Sequence, residues 1–309
     1  MFLQIKKHKR YKRIFFIFCI DRIMSDIISI RLMGGLGNQL FQVFTVIAYS
    51  IEHKKTVVLP YVEKLHVGIV RNTYWETFLM GLKNLTTYNP NNNITNEDLL
   101  KMPLLKETTF HYTPIPNTSS RTLLLGYYQS YRYFDKYRNV LLHMINFKEH
   151  LNNTQHEYSH LFIDKETISI HFRFADYKNI QESHPILGIQ YYYNAICNIC
   201  MSNRKTYRIL YFCQECDNDD VSHLIFTLSN QFPEIEFVKI DDSIQDWKQL
   251  LIMSLCNHNI IANSTYSWWA AWLNMNVNKI ICYPYTWFGP ALSHDTNDLF
   301  PSDWIKIYW

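Results

Sequence analysis

The residues best equipped for chemistry stand in two short stretches. The first is His171-Phe172-Arg173-Phe174-Ala175-Asp176-Tyr177. It follows an alternating run over 167–170 whose β-branched and small residues predict a short buried strand. An imidazole, a guanidinium and a carboxylate are thereby set at the carboxyl end of a strand, the edge where open α/β sheets collect ligands. Extended alternation sends His171, Arg173 and Ala175 to one side and Phe172, Phe174 and Asp176 to the other. The planar donor fork of Arg173 suits a phosphate or pyrophosphate; the plainer alternative is a structural pair with Asp176. The second stretch is Asn263-Ser264-Thr265-Tyr266-Ser267, which runs on into Trp268-Trp269-Ala270-Ala271-Trp272-Leu273. Asn, Ser and Thr are natural helix caps, and hydroxyls with free helix amides after a strand make an anion cradle. The competing reading is an ordinary cap ahead of an aromatic core helix. Asp246 opens the helix before it, where a carboxylate either caps or accepts paired hydrogen bonds from a base such as guanine.

The elements that must position these groups read as two rounds of strand and helix. In the first half, a strand over 27–32 leads into Met33-Gly34-Gly35-Leu36-Gly37-Asn38-Gln39, and helical spacing runs from Leu40 through Ile51. Glycines in such a turn allow positive φ and close backbone approach, and the helix start offers amides to an anion. The G-x-G-x-x-G spacing of dinucleotide sites is missing. A strand over 55–60, an irregular excursion over 88–120 with a short helix near 96–101, and a strand over 121–125 follow. The second half alternates strands at 167–171, 207–212, 235–240 and 259–262 with helices at 190–201, 219–230 and 246–257. Such alternation predicts parallel sheets covered on both faces. The polar stretch 150–160 is the expected boundary, giving an extension over 1–23, an N-terminal Rossmann-like domain over 24–155 and a C-terminal one over 156–309.

Totals bound the rest. With 48% hydrophobic and 18% charged residues the 309-residue chain is a globular protein, not a disordered one. The net positive charge of +3 is carried by the basic run Lys6 to Arg13, without which the remainder is slightly acidic, and this argues against a duplex-binding surface; no nucleic acid partner is expected. The apolar run Ile14 to Ile20 is far short of the roughly 20 residues of a membrane span. A cytoplasmic location is expected, with a weak N-terminal signal anchor as the alternative. Seven cysteines, an odd number, suit a reducing compartment. Cys197-x-x-Cys200 and Cys213-x-x-Cys216 approach zinc spacing, but one pair falls in a helix and the other at a strand end, without knuckle glycines, so no metal is expected. Asp217-Asn218-Asp219 spells D-x-D and reads as a solvated helix start.

Three separated segments then agree. Gly34-Gly35-Leu36-Gly37-Asn38-Gln39-Leu40-Phe41-Gln42, His171-x-Arg173-x-x-Asp176-Tyr177, and the run from Leu251 through Asn263-Ser264-Thr265-Tyr266-Ser267 to Leu273 closely resemble the motifs of the α1,2-fucosyltransferases, glycosyltransferase family 11. The stretch Gly126 to Phe134 is similar as well, and the resemblance runs in order from about Met24 to the end.

The resemblance implies an α/β fold of GT-B type, two Rossmann-like domains facing across a cleft, with GDP-fucose as donor and no metal or other cofactor. Fucose would pass with inversion to a hydroxyl of a galactose-containing glycan in α1,2 linkage. Carried over by motif, Arg173 would hold the β-phosphate, His171 would line the same pocket, and Asn38 would reach toward the reacting centre. Ser264, Thr265 and Ser267 would contact phosphates and Asp246 the guanine; Gly35, Gly37, Asp176 and Asn263 complete the expected donor site. Two departures stand out: Phe174 replaces a second arginine, and Phe212-Cys213-Gln214-Glu215 replaces an F-S-D-D segment. The general base is left open among Asp176, Glu182 and His184. A related GDP-sugar transferase and a catalytically lapsed glycan-binding homologue are the alternatives.

Overall fold

A computed structural model of the chain describes residues 26–118, 120–202 and 205–309. The expectations for the N-terminal extension and its apolar run lie outside the described residues. Strand β1 (Ile27–Ile30) leads into helix α1 (Leu36–His53), followed by β2 (Thr56–Val57), a small antiparallel hairpin of β3 (Lys64–Leu65) and β4 (Arg71–Asn72), α2 (Asn96–Leu100), β5 (Leu104–Lys106) and β6 (Thr122–Leu125). Helices α3 (Arg138–Met144) and α4 (Phe147–Glu157) lead to β7 (Glu166–His171), α5 (Ile189–Ser202), β8 (Tyr207–Phe212), α6 (Asn218–Gln231), β9 (Glu236–Lys239), α7 (Asp246–Leu255), β10 (His258–Ile260), α8 (Thr265–Leu273), β11 (Ile281–Pro284) and β12 (Ile305–Ile307).

Two sheets result, ordered β2-β1-β6-β5 and β12-β11-β10-β7-β8-β9, and every neighbouring pair in both is parallel. The inner strands β1 and β11 are buried end to end, as parallel strands covered on both faces require, while the edge strands β2, β5, β9 and β12 are partly exposed. Helix α1 starts at Leu36, a full turn before the apolar spacing becomes helical at Leu40. Gly37 and Asn38 are poor helix formers, and tertiary contacts hold that first turn. Most of the polar stretch 150–160 is α4, which packs on α7 through a Lys248–Glu157 ion pair of 2.8 Å and the His150 and Trp247 rings.

An aromatic seam joins the halves. Phe41 and Phe44 of α1 meet Trp268, Trp269 and Trp272 of α8, with centroids 4.5 Å apart for Phe41 and Trp268 and 5.0 Å for Phe44 and Trp269; Phe134 stacks on Trp269 at 5.2 Å. Each such pair contributes about 0.5–1.5 kcal/mol beyond its buried area. The expected aromatic core helix is therefore present, and it belongs to a core shared by both sheets. Because α1 and α8 pack side by side, their N-termini open at one place.

Candidate active site

That place is a cleft of about 1200 Å³ lined from both halves. Gly35, Gly37, Asn38, His171, Arg173, Asp176, Asp246, Asn263, Ser264 and Thr265 all line it. Ser267 does not. It sits one turn into α8, buried, with its hydroxyl on the Ser264 and Ala262 carbonyls at 3.4 and 3.5 Å, turned to its own backbone.

The glycine turn is shaped by backbone needs. Gly34 adopts φ +75, and a Cβ there would strike the Asn38 side chain. At Gly37 a Cβ would lie 2.5 Å from the Thr265 carbonyl carbon and 2.6 Å from the Tyr266 nitrogen, so this glycine is what lets the two helix starts touch. Asn38 Oδ1 accepts from the Thr265 hydroxyl at 2.9 Å and from Gln129 Nε2 at 3.0 Å, bridging the halves. Gln39 donates to the Gly34 and Asn72 carbonyls, each at 2.9 Å, and Gln42 ties Met33 N–H to the Gly126 carbonyl. Of these glutamines, Gln39 and Gln42 carry a sequence signal as site residues, being amides three apart on an otherwise apolar helix face, whereas Gln129 in its loop carries none.

Neither α1 nor α8 carries an acidic residue in its first turn. Ser264 caps α8, accepting from Tyr266 N–H at 3.4 Å, and Gly35 caps α1 without a side-chain bond. Two helix N-termini, each worth roughly half a positive charge, therefore face one cleft beside a guanidinium. Arg173 stands just past β7 with its side chain 14% exposed, paired to Asp176 at 2.5 Å and lying 5.1 Å from the Tyr177 ring centroid. Both meanings of the Arg173 and Asp176 pairing thus coexist, with the guanidinium oriented by Asp176 and still facing the cleft.

His171 is buried against Tyr266, ring centroids 5.4 Å apart, and its Nδ1 has no hydrogen-bond partner among the described residues. Burial, with the Arg173 charge beside it, pushes its pKa down to about 3, so it is a neutral imidazole. Asn263 is buried, donating to the Pro185 and Trp287 carbonyls at 2.9 and 3.3 Å and fixing two loops at the cleft wall. Asp246 accepts from Tyr74 of the other half and from Trp247 N–H at 2.7 Å.

Two expectations change here. Phe174 turns into the core beside Phe172, away from the cleft; the other lysine and arginine lining the cleft among the described residues are Lys64 and Arg71 of the hairpin. Asp217 is not a solvated helix start. It is fully buried and accepts the N–H of Ala175 at 2.8 and 2.9 Å and that of Phe174 at 3.3 Å, with Lys178 Nζ 3.8 Å away. It fixes the turn after Arg173, where Ala175 takes a positive φ of 27. The carboxylate missing at Gln214 is answered by one slightly further on, at Asp217. Among the general-base candidates, Glu182 is exposed and absent from the lining, while half-buried His184 lines the cleft, stacked on Tyr177 at 4.9 Å, its pKa lowered by burial.

No three His, Cys, Asp or Glu side chains gather in metal-binding range among the described residues. No helix among them is long and apolar enough to cross a membrane.

A family model described as Glycosyl transferase family 11 matches residues 2–308. The O-antigen biosynthesis glycosyltransferase WbnK of Escherichia coli is 29% identical, covering 89% of this chain and 99% of its own. An alpha-1,2-colitosyltransferase of Escherichia coli is 26% identical, covering 91% and 99%. Among solved structures, POFUT1 in complex with GDP-fucose matches 84% of this chain and 98% of its own with TM-score 0.50 at 12% identity. That likeness concerns the fold, which is the expected GT-B type.

Proposed function

Because the chain belongs to glycosyl transferase family 11, we propose that it transfers fucose from GDP-fucose, with inversion, to a hydroxyl of a galactose-like acceptor in α1,2 linkage. The observation that carries this reading is the convergence of Arg173 with the N-termini of α1 and α8 in one cleft. Breaking a sugar–phosphate bond places negative charge on the departing nucleotide, and preorganised cationic and amide donors are the main catalytic requirement. Here that counter-charge comes from Arg173 and two helix ends, and EDTA is expected to leave the rate unchanged. Ser264 and Thr265 add hydroxyls at the α8 end. Asn38, held by Thr265 and Gln129, keeps the α1 end in register with it.

His171 serves this site as an uncharged wall, since a neutral ring adds no competing cation and tolerates desolvation. Asp246 has acceptor capacity beyond its bonds to Tyr74 and Trp247 and would take the guanine N–H groups. Of the three base candidates only His184 lines the cleft without an ion pair, so it is the group assigned to receive the acceptor proton.

A second reading rests on the colitosyltransferase relative: the same cradle with a GDP-linked colitose, which is fucose without its 3-hydroxyl, as donor. The test is incubation of purified protein with each donor and methyl β-galactoside, with product linkage read by NMR. An α1,2-linked fucoside is expected. Absence of both donor turnover and GDP binding would overturn the enzyme reading, and transfer from the colitosyl donor alone would move it to the second.

A further inference from the structure

A continuous series of rings leads away from Arg173. Its guanidinium lies over Tyr177, Tyr177 stacks on His184, and His184 meets Phe288 at 5.6 Å. Phe288 packs edge-on against Phe110 of the other half at 5.1 Å, and His294 stacks on Phe110 at 4.7 Å and 17°. Phe110, Phe288 and His294 all line the cleft, the first two half-buried and the last exposed. Nothing in the phosphate chemistry above uses them.

The position of this wall is set by topology. In the order β12-β11-β10-β7-β8-β9, Arg173 follows β7, Asp246 follows β9 two strands to one side, and Phe288 follows β11 two strands to the other. Two strand spacings are about 10 Å. A diphosphate at Arg173 whose base lies toward Asp246 therefore has its sugar end facing the rings. The wall is also rigid. Gly289 N–H and Ala291 N–H bond to the Ser183 and Glu182 carbonyls at 2.9 and 2.8 Å, clamping the Phe288 loop to the segment that follows Arg173.

We infer that Phe288, Phe110 and His294 form the acceptor-sugar subsite, a platform for the C–H face of a β-galactopyranoside. The C–H bonds at C3, C4 and C5 of that sugar share one face and carry partial positive charge, matching the negative face of an aromatic ring. The platform bridges both halves and is held ready before binding, so little ordering cost is left to the acceptor. This inference rests on the donor reading proposed above.

The test uses the full chain and the variants Phe288→Leu and Phe110→Leu, which keep apolar bulk and remove the ring face. The probe is methyl β-galactoside, followed by acceptor KM with GDP-fucose and by ligand-observed NMR in the presence of GDP. The expected result is a rise of about tenfold in acceptor KM with matching loss of the NMR signal, while the Kd for GDP stays at the wild-type value. A GDP Kd that rises in step would show that the rings hold the base and would overturn the inference, as would an unchanged acceptor KM. A wild-type protein that binds no GDP and consumes no donor would instead sink the donor reading, and the inference with it.

Discussion

Replacing Gly37 by alanine tests whether the two halves must meet at the cleft floor. The new Cβ would lie 2.5 Å from backbone of Thr265, which cannot swing aside as a side chain could. Restoring an ordinary contact of about 3.4 Å requires the starts of α1 and α8 to part by about 0.9 Å. That movement stretches the Asn38–Thr265 hydrogen bond from 2.9 Å to about 3.8 Å, beyond bonding range. Overpacking costs about 1–3 kcal/mol and the lost bond about 1 more, against roughly 1 kcal/mol regained from alanine's helix propensity. The net is a loss of about 1–3 kcal/mol, or a Tm lower by roughly 2–10 °C for a chain of this size. The consequence for transfer is larger, because a displacement of about 1 Å at a positioning group costs on the order of a hundredfold. Gly35→Ala is the control for stability: no atom lies within 4 Å of its Cβ position and its φ is −78, so it should lose only the modest N-cap preference of glycine over alanine and its Tm should fall less than that of Gly37→Ala. Thermal unfolding of both variants, with donor turnover for Gly37→Ala, measures the effect. A Gly37→Ala protein with wild-type Tm and rate would refute the claim that this glycine joins the helix ends.

Asp217→Ala should strip the buried N–H groups of Phe174 and Ala175 of their acceptor, costing about 3 kcal/mol and lowering turnover through a loosened Arg173 turn; Asp217→Asn, which keeps one acceptor oxygen, should recover part of both. Equal stability and rate in Asp217→Ala and wild type would remove its positioning role. Stability should also fall in acid. With the His171 pKa at about 3 folded and about 6.5 unfolded, the unfolded chain binds a proton that the folded one refuses. The contribution is complete above about pH 6.5 and declines toward pH 3 at about 1.4 kcal/mol per pH unit, and His150, His184 and His258, also lowered by burial, push the same way. Urea unfolding at about pH 7 and about pH 5 reads this, and His171→Gln should flatten the slope by about one proton; a flat wild-type profile would contradict the burial argument.

The parallel architecture was legible because buried strands of both sheets write themselves as short apolar runs separated by helical spacing, and the strand-end position of Arg173 followed from the run ahead of it. What escaped was set by partners far apart in sequence. Nothing near Gly37 announces that residue 265 will touch it. Asp217 reads as solvated because its neighbours Asn218 and Asp219 are polar, yet the turn after β7 folds over it and removes it from water. Ser267 was open to better reasoning: three residues past the cap Ser264, it enters a helix whose following residues are tryptophans, and a hydroxyl there turns to its own backbone. Phe174 looked like a lost phosphate ligand, but its side of the strand end faces the core.

The central claim is that Arg173 and the two helix ends grip a nucleoside diphosphate. Calorimetric titration of GDP and of GMP into the wild-type protein and into Arg173→Ala tests it most directly. The account predicts that GDP binds the wild type at least about tenfold tighter than GMP, as a charge-assisted contact to the β-phosphate requires, and that Arg173→Ala narrows this preference without changing the fold, the helix ends keeping the remainder. Equal affinity of the wild type for GDP and GMP, or a GDP preference undiminished in Arg173→Ala, would contradict it.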